Sequence, residues 1–233
     1  FQVILINIGQ GDCTLIVEPF KRSAVMIDCG QNLYRDNVET IILPVLQQWQ
    51  IHSLDALIIT HDDFDHSGGK DQLQRKIPVK KVITKRELVP DVGYPFHSLL
   101  PQRTAKDEND ESIVSLFSYD GFVYLWMGDA GVDVEYDLMK KYNVKADVLK
   151  LGHHGSKTSS SYDFLDTVRP KIGLVSVGLH NRYGHPSSQV ISRCHSLGIH
   201  TLETKEVGMI RLCTFHGFMW METASGLVTL VEK

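Results

Sequence analysis

Short apolar runs separated by glycine- and aspartate-bearing turns open the chain. Gln2 to Asn7, Cys13 to Val17 and Ala24 to Asp28 each read as a strand, and Ile8-Gly9-Gln10-Gly11-Asp12 joins the first two as a turn, which predicts a β-meander. A helix fits Val38 to Trp49, with Pro44 as an interruption or a late start. It is followed by the apolar run Leu54 to Thr60, a helix from about Gly69 to Lys76 and a strand from Lys81 to Thr84. Residues 87–111 carry Pro90, Pro95 and Pro101 without a clear period, and predict a long loop with a short helical turn. Beyond it, Ile113 to Tyr119 and Phe122 to Met127 flank Asp120-Gly121 as a hairpin.

Helices and strands then alternate: a helix near Val132 to Tyr142, a strand at Asp147 to Leu151, a helix near Ser160 to Val168 and a strand at Ile172 to Val177. A helix near Ser187 to Leu197 precedes closing strands at Thr201, Met209 to Thr214, Phe218 to Glu222 and Leu227 to Val231. Each half supplies several strands and then helices. That order predicts an α/β architecture of two sheets packed face to face with helices outside. No low-complexity linker divides the chain, so residues 1–233 read as one domain.

Composition narrows this picture only slightly. The 233 residues are 42% hydrophobic and 22% charged, ordinary for a globular protein with a sizeable core. No apolar run approaches the roughly twenty residues needed to cross a bilayer, and no basic and apolar leader opens the chain, so the sequence predicts a soluble fragment with no membrane insertion of its own. It begins directly with the strand-like Phe1-Gln2-Val3-Ile4 and without an initiator Met, which reads as a domain of a longer protein. The formal net charge of −4 argues against a globally basic nucleic-acid coat. Cys13, Cys29, Cys194 and Cys213 lie in or beside apolar segments and read as buried structural thiols; Cys13 and Cys29 end neighbouring predicted strands, which leaves a disulfide between them open.

The chemistry concentrates at strand ends. His61-Asp62-Asp63-Phe64-Asp65-His66 follows a buried strand directly, and Ser67-Gly68-Gly69 leads from it into the next helix. Carboxylates crowded this closely repel one another without a cation, whereas a divalent ion turns the crowding into binding energy. Asp129 after Gly128 would, taken alone, be a turn or helix cap. His153 and His154, followed by Gly155 and Ser156, sit beyond the apolar strand Val148-Leu149-Lys150-Leu151 and extend the candidate ligand set. The basic runs Lys80, Lys81, Lys85 and Arg86, and Lys140, Lys141 and Lys145, read as solvated faces. Trp49, Trp126 and Trp220 read as core.

The ordered set His61-x-Asp63-x-Asp65-His66, Asp129 and His153-His154-Gly155-Ser156 resembles the metal signature of the metallo-β-lactamase-like fold. More narrowly, Gly9-Gln10-Gly11-Asp12, Asp28-x-Gly30, Asn109-x-x-Ser112, Gly128-Asp129, the His-His-Gly-Ser stretch and Asn181-Arg182-Tyr183-Gly184-His185-Pro186 are similar to the extracytoplasmic hydrolase domain of the ComEC/Rec2 family of DNA-uptake channel proteins. The resemblance implies an αββα sandwich with a two-metal site at one edge of its sheets. It also implies that His61 and Asp63 hold a first ion, that Asp65, His66 and His154 hold a second, and that Asp129 bridges them. Two departures stand out. Asp63 occupies a place where many members carry histidine, and no histidine between His97 and His153 fills the usual third-histidine position. Asp107, Glu108, Asn109 or waters are the candidates to complete the first ion. The oxygen-rich set favours a harder ion such as Mn²⁺ over Zn²⁺.

Two cations about 3.5 to 4 Å apart hold a bridging hydroxide that can attack phosphorus at neutral pH. Asp65 belongs to that machinery. Arg182, His185 and Lys157 are candidates to neutralise charge on the phosphate, Ser156 and Asn181 to bind it alongside them, and His153 to contact it or protonate the leaving group. The resemblance implies a nuclease that degrades the DNA strand not transported during natural transformation. Single-stranded DNA would be its partner, beside the membrane channel portion of the same parent polypeptide on the extracytoplasmic face of the cytoplasmic membrane. Two alternatives remain at this level: a phosphodiesterase for small phosphocholine-type esters, and a single-stranded DNA-binding domain that has lost catalysis.

Overall fold

The computed structural model describes residues 1–101 and 109–231. The chain opens with an antiparallel meander of β1 (Gln2–Leu5), β2 (Thr14–Val17) and β3 (Ala24–Ile27). After α1 (Leu43–Gln48), β4 (Ala56–Ile58) adds parallel to β3; α2 (Phe64–Ser67) and α3 (Lys70–Lys76) then lead to β5 (Val82–Ile83). A second sheet begins with the antiparallel strands β6 (Phe96–Leu99), β7 (Val114–Tyr119) and β8 (Phe122–Trp126). It continues in parallel as β9 (Val148–Lys150), β10 (Ile172–Val175) and β11 (His200–Glu203), with α4 (Val132–Lys141), α5 (Tyr162–Val168) and α6 (Ser188–Ser196) in the crossovers. Through α7 (Thr204–Val207) the chain returns to the first sheet as β12 (Ile210–Phe215), β13 (Phe218–Thr223) and β14 (Val228–Val231). The sheet orders are β14-β13-β12-β1-β2-β3-β4-β5 and β11-β10-β9-β8-β7-β6.

Strand alternation explains the layers. In β1, Val3 and Leu5 point between the sheets while Ile4 points to the helices; in β3, Val25 and Ile27 face inward and Met26 outward. The inter-sheet core joins these residues to Phe117, Tyr124, Trp126, Val148 and Leu174 of the second sheet. Outside, Val38, Ile42, Leu46 and Leu73 cover the first sheet, and Val134, Leu138, Phe164, Leu165 and Val190 cover the second. The result is the expected αββα sandwich of mixed sheets. Strands covered on both faces have apolar residues in succession, which is why the runs near the N-terminus do not alternate.

Several expectations need correction. The 87–111 segment is not all loop: Phe96 to Leu99 pair with β7, Phe96 opposite Phe117 and Leu99 opposite Val114. Pro95 and Pro101 flank this edge strand, where a missing N–H costs no ladder bond, and with only two buried residues it is too short to show a period. Before Pro44 the helix runs as a π-turn, Val38–Ile42, because proline has no N–H for the carbonyl four residues back. The stretch before Gly69 is not a plain loop; Phe64–Ser67 is a helical turn. Trp126 is core, but Trp49 and Trp220 are only partly buried, with the Arg211 guanidinium 4.7 Å from the Trp49 ring. All four cysteines are buried free thiols, so Cys13 and Cys29 do not pair. Among the described residues, no helix is long and apolar enough to cross a membrane.

Candidate metal centre

Every predicted ligand emerges at the carboxyl end of a strand or just beyond it. β4 runs out through Thr60 to His61, and α2 presents Asp65 and His66. β8 leads to Gly128-Asp129, and β9 to His153-His154. The turn between β1 and β2 and the end of β3 form a cradle under α2: Asp12 N–H donates to Asp65 O (2.9 Å), Cys29 N–H to His66 O (2.9 Å) and Gln31 N–H to Phe64 O (3.1 Å). Gly11 and Gly30 explain their motifs here. A Cβ at either would collide with the Asp65 carbonyl, so any side chain would push the ligand turn away.

Three imidazoles turn the same atom inward. His66 Nδ1 lies 2.9 Å from Asp28 Oδ2, and Asp28 also accepts the Thr60 N–H and Oγ–H at 2.8 Å each. His154 Nδ1 donates to Ser176 O at 2.8 Å, and His61 Nδ1 lies 3.1 Å from Thr60 Oγ1 and 3.4 Å from Ser112 Oγ. Each outer contact fixes a ring and leaves Nε2 facing the centre. There His66 Nε2 is 3.2 Å from Asp129 Oδ1, His154 Nε2 is 3.3 Å from Asp65 Oδ2 and 3.8 Å from Asp129 Oδ2, and His61 Nε2 is 3.4 Å from Asp63 Oδ2. None of these contacts has hydrogen-bond geometry. Among the described residues, the buried Nε2 atoms of His61, His66 and His154 and Oδ1 of Asp129 therefore have no hydrogen-bond partner. Buried polar atoms are rarely left so, and four aimed into one space fit a divalent ion. The two oxygens of Asp129 face different imidazoles, Oδ1 that of His66 and Oδ2 that of His154.

Asp12 is buried beside these rings. It joins His66, Asp129 and His154 in a buried group whose ligand-capable atoms lie within 4.8 Å of one another. Yet its oxygens reach the Nδ1 sides of the rings, 3.5 Å from His154 and 3.8 Å from His66, and it pairs with the fully buried ammonium of Lys150. Asp12 thus stands behind the histidines as a support, with Lys150 balancing the carboxylates of the site.

The charges respond to this crowding. Burial disfavours a protonated His66, but Asp129, Asp28 and Asp12 outweigh it and raise the imidazole well above its ordinary range; His154 is raised against burial by Asp129 and Asp12. Burial likewise opposes ionisation of Asp65, but His154 and the charge of His66 bring its carboxyl down to about 2. His153, at the mouth, is lowered by burial, and so is His185.

The remaining predicted residues divide between mouth and scaffold. His153 Nε2 stands 3.8 Å from Asp129 Oδ2, and the His185 ring packs edge-on against the His153 ring at 5.7 Å. Arg182 is exposed and lines a cleft that has Asp65 in its wall. Asn181 is a brace: its amide donates to Gly178 O and His185 O, and its Oδ1 accepts the His185 N–H. Ser156 is buried, with its hydroxyl on Thr158, while Lys157 is exposed on the same turn. Asn109 lies in a helical turn where its carbonyl accepts the Ser112 N–H, and Asp107 and Glu108 lie outside the described residues. Sequence reasoning gave no role to Asp28, Ser112, Ser176 or Lys150. Lys150 carried a usable signal, since a lysine within an apolar strand demands a buried carboxylate.

A two-sheet sandwich with an Asp/His cluster at the strand ends defines a metal-dependent hydrolase type of fold and site. The chain matches the metallo-beta-lactamase superfamily over residues 6–123, half of its length, and belongs to that superfamily. It is 30% identical over 252 aligned positions to ComE operon protein 3 of Bacillus subtilis, covering 90% of this chain and 32% of that protein. It is 31% identical over 241 positions to Recombination protein 2 of Haemophilus influenzae, covering 96% and 30%. These relatives bear out the resemblance to the ComEC/Rec2 competence family, and the chain spans about a third of their length. Among solved structures, the metallo-beta-lactamase fold protein YhfI from Bacillus subtilis superimposes with a TM-score of 0.58 at 12% identity, covering 94% of this chain and 98% of that one, a likeness of fold alone.

Proposed function

We propose that this chain is a metal-dependent phosphodiester hydrolase acting on DNA, the nuclease part of a longer competence protein. The observation that carries the reading is the convergence of three inward-facing Nε2 atoms with Asp65 and Asp129 beside an open cleft. His61, Asp63 and Asp129 would hold one divalent ion, and Asp65, His66, His154 and Asp129 a second. The chemistry these residues would gain from such ions is a water acidified to near neutrality and compensation of charge on a phosphoryl group. Three carboxylates among six ligands support Mn²⁺ over Zn²⁺.

The chain's own residues supply the rest. Asp65 stays ionised throughout the physiological range. Asp28, Ser176 and Thr60 hold the rings so that no rotation is needed when ligands bind. Arg182 offers a guanidinium to a non-bridging oxygen. His153, held neutral by burial and braced by His185, can accept a proton at Nε2 and return it to a leaving oxygen. In the parent polypeptide this activity would stand beside the channel portion, on the extracytoplasmic face, and remove the strand that is not transported.

The test is labelled DNA incubated with the chelated protein, then with Mn²⁺ or Zn²⁺ restored. Cleavage only after metal addition, abolished in Asp65→Ala, supports the reading; cleavage indifferent to metal refutes it. The cleft volume, about 700 Å³, falls within the range of small-molecule pockets and favours one second reading, a small diester as substrate. Turnover of a small diester in preference to oligonucleotides would establish it.

A further inference from the structure

Three aromatic rings surround the cleft beside the metal centre, and the folded chain gives them little to do. Tyr34 comes from the loop after β3 and is 83% exposed, Phe64 from the start of α2 at 51%, and Tyr183 from the loop after β10 at 72%. They come from three separate segments yet line one opening, together with Leu179, Arg182 and Asp65. Exposed apolar surface gathered in one place marks a contact site rather than scatter. Tyr183 also has a ring partner: it stacks on His185 at 5.7 Å with the planes 16° apart, and His185 abuts His153 at 5.7 Å. A row of rings thus runs from the cleft rim to within 3.8 Å of Asp129.

We infer that these rings stack the bases of an unpaired nucleic-acid strand on either side of the scissile phosphate. The inference rests on the nuclease reading and specifies its substrate. Arg182 in the same wall pairs with the backbone while rings of any base find a π-face, a combination suited to single strands and tolerant of sequence. In a duplex the base faces are already stacked on one another and cannot enter a cleft walled by side-chain rings. The continuity of the aromatic wall with Asp65 ties the bases to the site of cleavage instead of to a remote dock.

The test compares three substrates in Mn²⁺ with the intact chain: a twelve-nucleotide oligothymidylate, the same strand with tetrahydrofuran abasic residues at every position, and a blunt duplex of equal length. Wild type should favour the oligothymidylate over the abasic strand by on the order of tenfold per stacked base, mostly in KM. Tyr34→Leu and Tyr183→Leu should each erase on the order of tenfold of that preference, while Tyr34→Trp and Tyr183→Trp restore it, which a merely structural role would not do. If wild type cleaves the natural and abasic strands alike, or if the leucine variants keep the preference, the stacking inference fails and the nuclease reading stands. If no strand is cleaved or bound with any metal, both fail. Sedimentation showing a dimer that protects these tyrosines would also overturn the inference.

Discussion

Glu135 and the metal centre are both buried polar sites in the same sandwich, and they are finished differently. Glu135 on α4 is fully buried, and its carboxylate accepts the backbone N–H groups of Ser160 and Ser161, the latter at 2.9 Å, with Arg193 nearby. Its partners are all supplied by the chain, and it pins the loop that follows His154. At the metal centre the outer side of each imidazole is held by protein while the inner side has no hydrogen-bond partner among the described residues. A structural carboxylate is completed by folding; a binding site is folded with its last partners withheld. Burial and charge alone do not separate the two, but the direction of the unsatisfied atoms does.

Substitutions can break or sharpen this contrast. The largest effect is expected from Asp129→Ala, which removes the ligand common to both proposed ions: metal-dependent cleavage should fall by more than about a thousandfold. In the same variant Mn²⁺ should no longer raise the melting temperature, as followed by calorimetry with and without chelator. Asp28→Asn leaves the ligand set intact but loosens His66, and metal affinity measured by titration should weaken about 10- to 100-fold. Glu135→Ala should cost about 2–4 kcal/mol by orphaning two N–H groups, yet the stabilisation gained on adding metal should survive. A variant that lost both would show the two sites to be one unit. Ser161→Ala, which removes the hydroxyl accepting the Phe164 N–H at the start of α5, should cost about 1 kcal/mol in denaturant unfolding.

Proton linkage draws the same line in another way. Because folding raises His66 and His154, the metal-free chain gains stability from their protonated rings below about pH 6.5 and loses it as pH climbs through the raised values. Metal ligation needs the deprotonated rings, so the stabilisation conferred by metal should instead grow with pH. Thermal melts between pH 6 and 9 should therefore fall with pH in chelator and stay nearly level in saturating Mn²⁺; parallel slopes would remove these histidines from the ligand set.

The strands and ligands that sequence reading recovers are those carried by contiguous, periodic or chemically dense segments. His61 to His66 and the hairpin at Asp120-Gly121, both of whose φ angles are positive, announce themselves locally. The edge strand β6 does not, because two buried residues between prolines carry no period. Asp28 and Ser112 stand out in motifs, but their supporting roles, like that of Ser176, are hidden, since they depend on partners 38, 51 and 22 residues away. Inward and outward histidines of the His153-His154 pair become distinguishable only from the Ser176 carbonyl and the left-handed backbone of both residues.

The proposed ligands are split between the layers: His61, Asp63, Asp65 and His66 follow β4 of the first sheet, and Asp129 and His154 follow β8 and β9 of the second. Neither layer alone carries the whole proposed set. An ion held there would therefore tie the two layers together at their strand ends, adding a cross-link to the apolar core that already joins the sheets.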